Sequence, residues 1–233
     1  MSDTRYISTR GEAPELGFED VVLAGLARDG GLYLPADWPR FEHDEIASFA
    51  GRPFHEIAAA VIAPFAIGAF TRDELTALAR DAYSGFGHTA VTPLAQLTPN
   101  RFVLELFHGP TLAFKDVAMQ FLSRLMDRIL AARNARATIV CATSGDTGGA
   151  AVEAFRGAHN VDIVVLFPEG RVSDVQRRMM TTPDEANVHA LSVRGTFDDC
   201  QALVKAMFND LAFRDRVALS GVNSINWARV VPQ

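Results

Sequence analysis

The spacing of apolar residues predicts a mostly helical N-terminal part. Apolar positions recur at helical intervals in "FEDVVLAGLARDGG", "HDEIASFAG" and "PFHEIAAAVIAPF". We expect the first of these helices to end at Gly30–Gly31, followed by a short strand that finishes at Pro35. Thr71 and Glu74 have the spacing of a capping box, which predicts a further helix start. These patterns define an expected domain at residues 1–88.

From about residue 90, short apolar runs alternate with helical patterns. The runs predicted as strands are "RFVLELF", "ATIVCAT", "VDIVVLFP" and "NVHALSVRG". The helices predicted after them are Asp116 to about Asn134, Thr147 to about Arg156, "SDVQRRMMT" and "FDDCQALVKAMFNDLAF". Runs that are apolar throughout are typical of strands buried on both faces. We therefore expect an α/β domain at residues 89–233, with a parallel sheet flanked by helices, and a further strand beginning in "VALSGVNSINWARVVPQ".

Charge and composition argue against several function classes. The net charge of the 233 residues is −6 and no basic stripe is present, which argues against a nucleic-acid surface. The N-terminus lacks the apolar core of a signal peptide, and the longest apolar stretch, residues 57–70, is too short to span a bilayer. Cys141 and Cys200 lie far apart without a CxxC partner, so we expect neither a disulfide nor a metal site. A cytoplasmic protein without nucleic-acid or membrane partners is the expectation.

Lysine is rare in this chain, and Lys115 therefore needs a chemical reason. The chain has two lysines against twenty arginines. Lys115 lies in "HGPTLAFKDVAMQF" at the start of a predicted helix, where the helix dipole disfavours a cation. Expected burial among Leu112, Phe114 and Val117 disfavours the ammonium further, and an uncharged amine is what Schiff-base chemistry requires. The alternative is an ordinary lysine whose stem lies along an apolar surface.

A second pattern, "CATSGDTGGAA", passes from a predicted strand through a glycine-rich loop into a helix. Backbone N–H groups at such a junction converge on one point and attract an anion, and Ser144 and Thr147 add hydroxyl donors. The phosphate-binding patterns G-x-x-x-x-G-K-[ST] and G-x-G-x-x-G are both absent. Because Asp146 would repel a dianionic phosphate, a carboxylate is the better ligand. A plain strand–helix turn, with glycines that allow tight packing, explains the loop equally well.

Together, "HGPTLAFKD" and "TSGDTGGAA" resemble two motifs of the pyridoxal-phosphate enzymes of fold type II, and specifically of the threonine synthase family. The first resembles the cofactor-lysine motif and the second the substrate-binding loop. Four further stretches match in the family's order: "YISTRG", "GLARDGGLYLP", "GRVSDVQRRMM" and "NSINWAR". The resemblance implies a lyase that uses pyridoxal 5'-phosphate to convert O-phospho-L-homoserine and water into L-threonine and phosphate, by γ-elimination and β-addition. This reaction is the last step of threonine biosynthesis.

The same resemblance assigns roles to single residues. Lys115 is the catalytic residue, which forms the Schiff base with the cofactor and moves the substrate's protons. The substrate's amino-acid end is held by Ser144, Gly145, Asp146, Thr147 and Gly148. Asn223 and Asn226 lie near the cofactor or a phosphate. Arg10 and Arg171 are candidate contacts of the substrate phosphate, and each is equally plausible as a structural ion-pair partner.

The resemblance also implies parts that the chain lacks. The family cradles the cofactor phosphate in a second glycine-rich loop, and none follows Gly149. We therefore expect an N-terminal fragment whose end, Gln233, falls inside the cofactor domain and which has little activity alone. The sequence leaves open whether the protein is a monomer or a homodimer.

Two other functions are compatible with the sequence. The first keeps the cofactor but changes the substrate, as in a serine or threonine dehydratase or a synthase-like phospholyase. The second is a non-catalytic α/β module that binds a carboxylate at the "TSGDTGG" loop. Lys115→Arg separates the module from the enzymes, because the substitution is harmless only in the module.

Overall fold

The computed structural model describes residues 3–232. Its N-terminal part contains a two-stranded antiparallel sheet and short helices. The strands are β1 (Tyr6–Ser8) and β2 (Tyr33–Pro35), and the helices are α1 (Phe18–Ala24), α2 (His43–Ala47), α3 (Phe54–Ile62) and α4 (Arg72–Tyr83). A 3₁₀ turn at Ala63–Phe65 continues α3. The prediction of a mostly helical N-terminal part with a strand ending at Pro35 is confirmed.

Two local details of this part follow from capping chemistry. The capping box is confirmed, because Glu74 N donates to Thr71 Oγ1 at 3.2 Å and Thr71 N donates to Glu74 Oε2 at 2.9 Å. The predicted end of α1 at Gly30–Gly31 is wrong. The helix ends at Ala24 because Gly25 adopts a φ of 66°, a conformation that glycine reaches without strain.

The run "RFVLELF" does not join the parallel sheet. It forms β4 (Arg101–Leu104), which pairs with β3 (Leu94–Thr98) in a separate antiparallel hairpin. All four residues of β4 are exposed, including Phe102 at 52%. The prediction of a buried parallel strand is wrong because a continuous apolar run looks the same whether or not other parts of a sheet cover it.

The other predicted strands form one parallel sheet in the order β7-β6-β5-β8. Its strands are β5 (Ala137–Ala142), β6 (Val161–Pro168), β7 (Val188–Val193) and β8 (Leu219–Ser220). The helices of this part are α5 (Lys115–Ala132), α6 (Asp146–Phe155), α7 (Asp174–Thr181), α8 (Phe197–Asn209), α9 (Leu211–Arg216) and α10 (Trp227–Val230). In residues 3–232 no helix has both the length and the apolar character needed to cross a bilayer.

The helices cover both faces of the sheet, as the alternating pattern predicts. On one face α5 and α6 bury a large core, with Phe121 and Phe155 fully buried. This core also contains Tyr6 of β1, so the N-terminal helices and the sheet share it. On the other face α8 packs Val204 and Phe208 against a smaller cluster. The domain boundary between residues 88 and 89 stays a prediction.

The strand order creates a crevice between β5 and β8. From β5 the chain crosses through α6 to β6 on one side, and from β7 it returns through α8 to β8 on the other side. In open parallel sheets, ligands bind outside the carboxyl ends of the strands where the strand order reverses. Residues 144–148 span the loop after β5 and the start of α6, and Asn223 lies in the loop after β8, so the sheet brings these residues to the same edge.

Candidate active site

The loop before α5 is held by a buried carboxylate. Asp116 is fully buried and accepts hydrogen bonds from Thr111 N at 2.8 Å and Thr111 Oγ1 at 2.7 Å. Burial raises the pKa of Asp116, although the bonds from Thr111 oppose this shift. A Cβ on Gly109 would lie 2.4 Å from the Asp116 Cβ, so the position requires glycine. The motif "HGPTLAFKD" therefore fixes the backbone on both sides of Lys115.

Lys115 begins α5 and points towards the start of α6. Its Nζ lies 3.6 Å from Asp146 Oδ2 and 4.3 Å from the centroid of the Phe114 ring, and its side chain is 15% exposed. The amine therefore lies between the Asp146 carboxylate and the Phe114 ring. The expected apolar burial is wrong in part, since Leu112 is 68% exposed and Phe114 is 40% exposed. Leu112 and Phe114 therefore do not enclose the amine, although the Lys115 side chain itself is mostly buried.

The glycine-rich loop after β5 is organised by a residue that sequence reasoning missed. Thr143 Oγ1 accepts hydrogen bonds from Gly145 N at 2.9 Å and Gly148 N at 2.8 Å. Two of the N–H groups expected to bind an anion are thus already occupied. The signal for Thr143 is present in the sequence, because a hydroxyl residue just before a helix commonly accepts from its first N–H groups. The Ser144 side chain is exposed at this edge.

Gly148 allows close packing between α6 and the sheet. A Cβ there would lie 2.5 Å from Thr143 Cγ2, 2.5 Å from Met180 Sδ and 2.8 Å from Val165 Cγ1. Gly148 therefore has the packing role that was one of the two interpretations of the loop, the other being ligand binding. Its contact with a substrate stays a prediction, as does that of Gly145 and Thr147.

Asp146 is oriented by a second residue that sequence reasoning missed. Gln176 Nε2 of α7 donates to Asp146 Oδ1 at 2.6 Å, which leaves Oδ2 facing Lys115. Gly145 makes room for this amide, since a Cβ there would lie 2.2 Å from Gln176 Oε1. The S-x-x-Q spacing from Ser173 marks Gln176 as a helix-start residue, and Gln176 N indeed donates to Ser173 Oγ at 3.3 Å. The reach to Asp146 has no local sequence signal.

These contacts surround a small cleft. A cavity of about 260 Å³ lies between the loop before α5, the start of α6 and α7. Its lining includes Thr111, Gly145, Asp146 and Gln176. The cleft therefore connects the loop that precedes Lys115 with the proposed substrate-binding loop.

The two asparagines of "NSINWAR" differ in their hydrogen bonding. Asn226 is fully buried, its Nδ2 donates to Val22 O and Gly221 O, and its Oδ1 accepts from Ala228 N, each at 2.9 Å. It caps α10 and has no free amide hydrogen for a ligand, so its prediction as a cofactor contact is not supported. Asn223 Oδ1 is buried and has no partner among residues 3–232. Of the two, Asn223 is available to a ligand.

The two candidate arginines lie in different places. Arg10 Nη1 donates to Asp29 O at 2.9 Å, and the side chain lines a cavity together with Asn223. Arg171 is exposed after β6 and lies near the start of α8. Hydrogen bonds from Thr196 lower the pKa of Asp199, and Arg171 contributes to this shift. In the described residues Arg171 thus acts on Asp199, and its phosphate contact stays a prediction.

Comparison with known proteins identifies two matching family models. Residues 5–83 match the threonine synthase N terminus, and residues 84–230 match the pyridoxal-phosphate dependent enzyme family. Threonine synthase of Pseudomonas aeruginosa is 55% identical over 229 residues, 98% of this chain and 49% of its own length. Human threonine synthase-like 2 is 39% identical, covering 98% of this chain and 47% of the relative.

Solved structures of threonine synthases are also similar to this chain. The pyridoxal-phosphate-bound threonine synthase from Brucella melitensis superposes with a TM-score of 0.92 at 62% identity. The match covers 98% of this chain and 49% of that structure. The chain therefore spans about half the length of the relatives it matches.

Proposed function

Because this chain belongs to the pyridoxal-phosphate dependent enzyme family, we propose that its function is that of a threonine synthase. The proposed reaction converts O-phospho-L-homoserine and water into L-threonine and phosphate. The observation that carries the proposal is the approach of Lys115 Nζ to Asp146 Oδ2, 3.6 Å apart, at the meeting of the two motifs. The N-terminal match to threonine synthases supports this substrate over those of other family members.

The residues around Lys115 fit attachment of the cofactor. The Lys115 side chain is 15% exposed, the loop before it is held by Asp116 and Thr111, and its neighbour Asp146 is oriented by Gln176. When bound, pyridoxal phosphate supplies an electron sink that stabilises negative charge on the substrate carbon next to the amino group. Lys115 would attach the cofactor, and Asn223 is the asparagine left to contact it.

Within this proposal the residues of the chain transfer protons, stabilise the lysine ammonium and bind the substrate carboxylate. Lys115 Nζ relays the substrate's protons one at a time: it moves the protons of Cα and then Cβ so that phosphate can leave from Cγ, and it returns protons at Cγ and Cα, while water adds its hydroxyl at Cβ and its proton goes to the departing phosphate. Asp146 Oδ2 stabilises the ammonium whenever Lys115 carries one of these protons. The Ser144 hydroxyl, with the N–H groups of the loop that Thr143 leaves unoccupied, binds the substrate carboxylate.

Three further features belong to the proposal. The domain boundary lies between residues 88 and 89, and the protein works in the cytoplasm. The substrate is a small molecule, with neither nucleic acid nor a membrane as partner. Sedimentation of the purified protein distinguishes a monomer from a homodimer.

Borohydride trapping tests the attachment site. The purified protein, incubated with pyridoxal phosphate and reduced, should carry the cofactor mass on the peptide containing Lys115. Since Lys205 is the other lysine of the chain, the two candidate peptides are easily separated. Lys115→Arg should lose the label, whereas Lys205→Arg should keep it. A label on Lys205, or on neither residue, contradicts the proposal.

A coupled assay tests the reaction itself. Phosphate release and threonine formation from O-phospho-L-homoserine are measured in the same sample. Equal amounts of both products support a threonine synthase. Phosphate release without threonine supports the phospholyase alternative. A non-catalytic module predicts neither product.

A further inference from the structure

A cavity at the amino-terminal end of the parallel sheet has apolar walls. Its volume is about 370 Å³, within the range of ~300–1,000 Å³ that is usual for small-molecule sites. Four leucines form much of its wall, namely Leu16, Leu23, Leu26 and Leu219. Leu219 pairs with Thr138 at the start of β5, so the cavity lies at the opposite end of the sheet from the loops after β5 and β8. It is therefore separate from the loop proposed to bind the substrate carboxylate.

Arg214 of α9 brings a buried cation to this cavity. The residue is 7% exposed, and its Nη2 donates to Ala24 O at 3.1 Å and to Leu26 O at 2.6 Å. Within residues 3–232, Nε and Nη1 donate to no acceptor and the guanidinium forms no ion pair. Because buried charges in proteins are normally paired, these donors favour an anionic group in the cavity.

The two carboxylates that line the cavity are paired with other arginines. Asp215 pairs with Arg28, and Asp20 Oδ1 lies 2.6 Å from Arg133 Nη1. Desolvation lowers the pKa of Arg214 and the neighbouring Arg28 lowers it further, so the opposing effect of Asp215 does not compensate for burial. Arg214 is thus the cation of this cavity that lacks a direct partner among the described residues.

We propose that the cavity binds a small aliphatic carboxylate. Its charged end accepts hydrogen bonds from Arg214, and its hydrocarbon end packs against the four leucines. Hydrogen bonds between a guanidinium and a carboxylate are charge-assisted and therefore strong. A doubly charged phosphate fits less well, because Asp20 and Asp215 repel a dianion more strongly than a monoanion. A free carboxylic acid and an aliphatic amino acid share the chemistry that this site recognises.

The turn that Arg214 holds connects the cavity with the loop after β8. Leu26 lines both this cavity and the larger one that contains Asn223. A Cβ on Gly25 would lie 2.9 Å from Gly221 N, so the turn packs directly against that loop. A ligand bound to Arg214 therefore restrains a turn that borders the crevice between β5 and β8.

Titration calorimetry with isovalerate and L-leucine tests the ligand class. Isovalerate should bind at one site, and isoamyl alcohol, which has the same hydrocarbon part without the charge, should bind at least about tenfold more weakly. Leucine that binds as well as isovalerate identifies an amino-acid site, and leucine that binds more weakly identifies a site for the free acid; either result supports the proposal. No saturable binding of either carboxylate, or equal binding of the alcohol, overturns it.

Variants locate the bound isovalerate. Arg214→Gln should weaken binding by about tenfold or more, whereas Arg216→Gln, an exposed arginine of the same helix, is the matched control. Because Arg214→Gln also removes the bonds to Ala24 and Leu26, Ala24→Leu provides a second variant, which fills the cavity and keeps the guanidinium. Equal affinity in wild type and both cavity variants overturns the assignment. Loss of binding in Ser144→Ala places the carboxylate at the loop after β5 and overturns it as well.

Hydrogen exchange gives a measurement that does not depend on variants. Bound isovalerate should slow amide exchange at Gly25 and Leu26, because it restrains the guanidinium that holds their turn. Exchange at these two amides that is unchanged at a saturating concentration of isovalerate contradicts the proposed contact with Arg214.

Discussion

Two aspartates hold two turns of this molecule, and their surroundings differ. Asp29 organises the N-terminal turn, where it accepts hydrogen bonds from Gly31 N and Ser8 Oγ at 2.8 Å, Ala13 N at 2.9 Å and Glu12 N at 3.1 Å. Burial alone would raise the pKa of Asp29, but these bonds lower it to about 2. The turn that it holds belongs to the stretch "GLARDGGLYLP".

Asp116 holds the turn before α5 in the same way, but it has fewer hydrogen-bond donors than Asp29 and is not exposed to solvent. It accepts both of its side-chain bonds from Thr111, it is fully buried, and burial raises its pKa. The comparison shows that the bonding role of a carboxylate does not determine the sign of its pKa shift. The direction of the pKa shift is set by the balance between desolvation of the carboxylate and the number of hydrogen-bond donors around it. The loop next to Lys115 is therefore held by Asp116, the aspartate whose charged form is destabilised by burial.

The largest expected effect comes from adding a side chain at Gly109, against which Asp116 packs. Gly109→Ala places a Cβ 2.4 Å from the Asp116 Cβ and 2.5 Å from its Oδ2, in a buried position that cannot yield easily. We expect a loss of about 3 kcal/mol in the free energy of unfolding, measured by urea denaturation. Gly17→Ala is the control, since its Cβ would meet nothing within 4 Å. Similar stability of the two variants contradicts the close packing described here.

Removing the carboxylate itself should cost less. Asp116→Ala leaves Thr111 N and Oγ1 without their acceptor, but it also removes a desolvated charge, so we expect a loss of about 2 kcal/mol. Asp116→Asn keeps one acceptor and should lose less than the alanine variant. Thermal unfolding followed by circular dichroism orders the three proteins. An alanine variant as stable as wild type shows that the buried charge cancels the benefit of its bonds.

The pH dependence of the two asparagine variants should have opposite signs. Because the folded pKa of Asp29 is about 2, below the ordinary 3.8, its contribution is present above pH 3.8 and is lost as the pH falls towards 2. The difference between wild type and Asp29→Asn should therefore shrink with acid. Because the folded pKa of Asp116 is raised, the stability of wild type relative to Asp116→Asn should fall as the pH rises above 3.8.

Urea midpoints measured between pH 2.5 and pH 6 test both signs in one experiment. Curves that run parallel for the two variants contradict the comparison between the aspartates. The control is Asp73→Asn, an exposed residue in the first turn of α4.

How far the fold can be predicted from the sequence depends on whether the signal is local. The β6 segment is predicted with its observed bounds, Val161–Pro168, because the apolar run is continuous and a strand of eight residues leaves few alternatives. The capping box at Thr71 is likewise a local pattern. The segment "RFVLELF" has the same kind of apolar run, but what covers a strand is a tertiary property. Its place in a separate hairpin is therefore invisible in the run itself.

The site shows the same limit at the level of single residues. Lys115 and Asp146 each stand out in the sequence, yet their approach requires the starts of α5 and α6 to face each other across the core. Asn223 and Asn226 are three residues apart in one motif, and it is the folded backbone around Asn226, with partners at Val22, Gly221 and Ala228, that distinguishes the structural asparagine from the available one. Gln176 has the local signal of a helix start, while its bond to Asp146 connects residues 30 positions apart.

The smallest expected effect concerns carboxylates at helix starts, which resemble Asp29 in that hydrogen bonds from the backbone lower their pKa. Glu74 accepts from the backbone N and the Oγ1 hydroxyl of Thr71, and Asp199 accepts from the same two atoms of Thr196; these bonds lower the pKa of each carboxyl, and the alanine variants remove the hydroxyl bonds. Thr71→Ala and Thr196→Ala should each cost about 1 kcal/mol at pH 7.

The same variants test the role of charge in these caps. Since a lowered pKa gives stability that is lost as the pH falls, the cost of each threonine variant should decrease at pH 3. Thr76→Ala, whose hydroxyl only donates to Arg72 O within α4, is the control and should show no such decrease. A cost that is equal at pH 7 and pH 3 would show that the threonine hydroxyl caps the helix alone. In that case the carboxylates at the helix starts would not share the behaviour of Asp29.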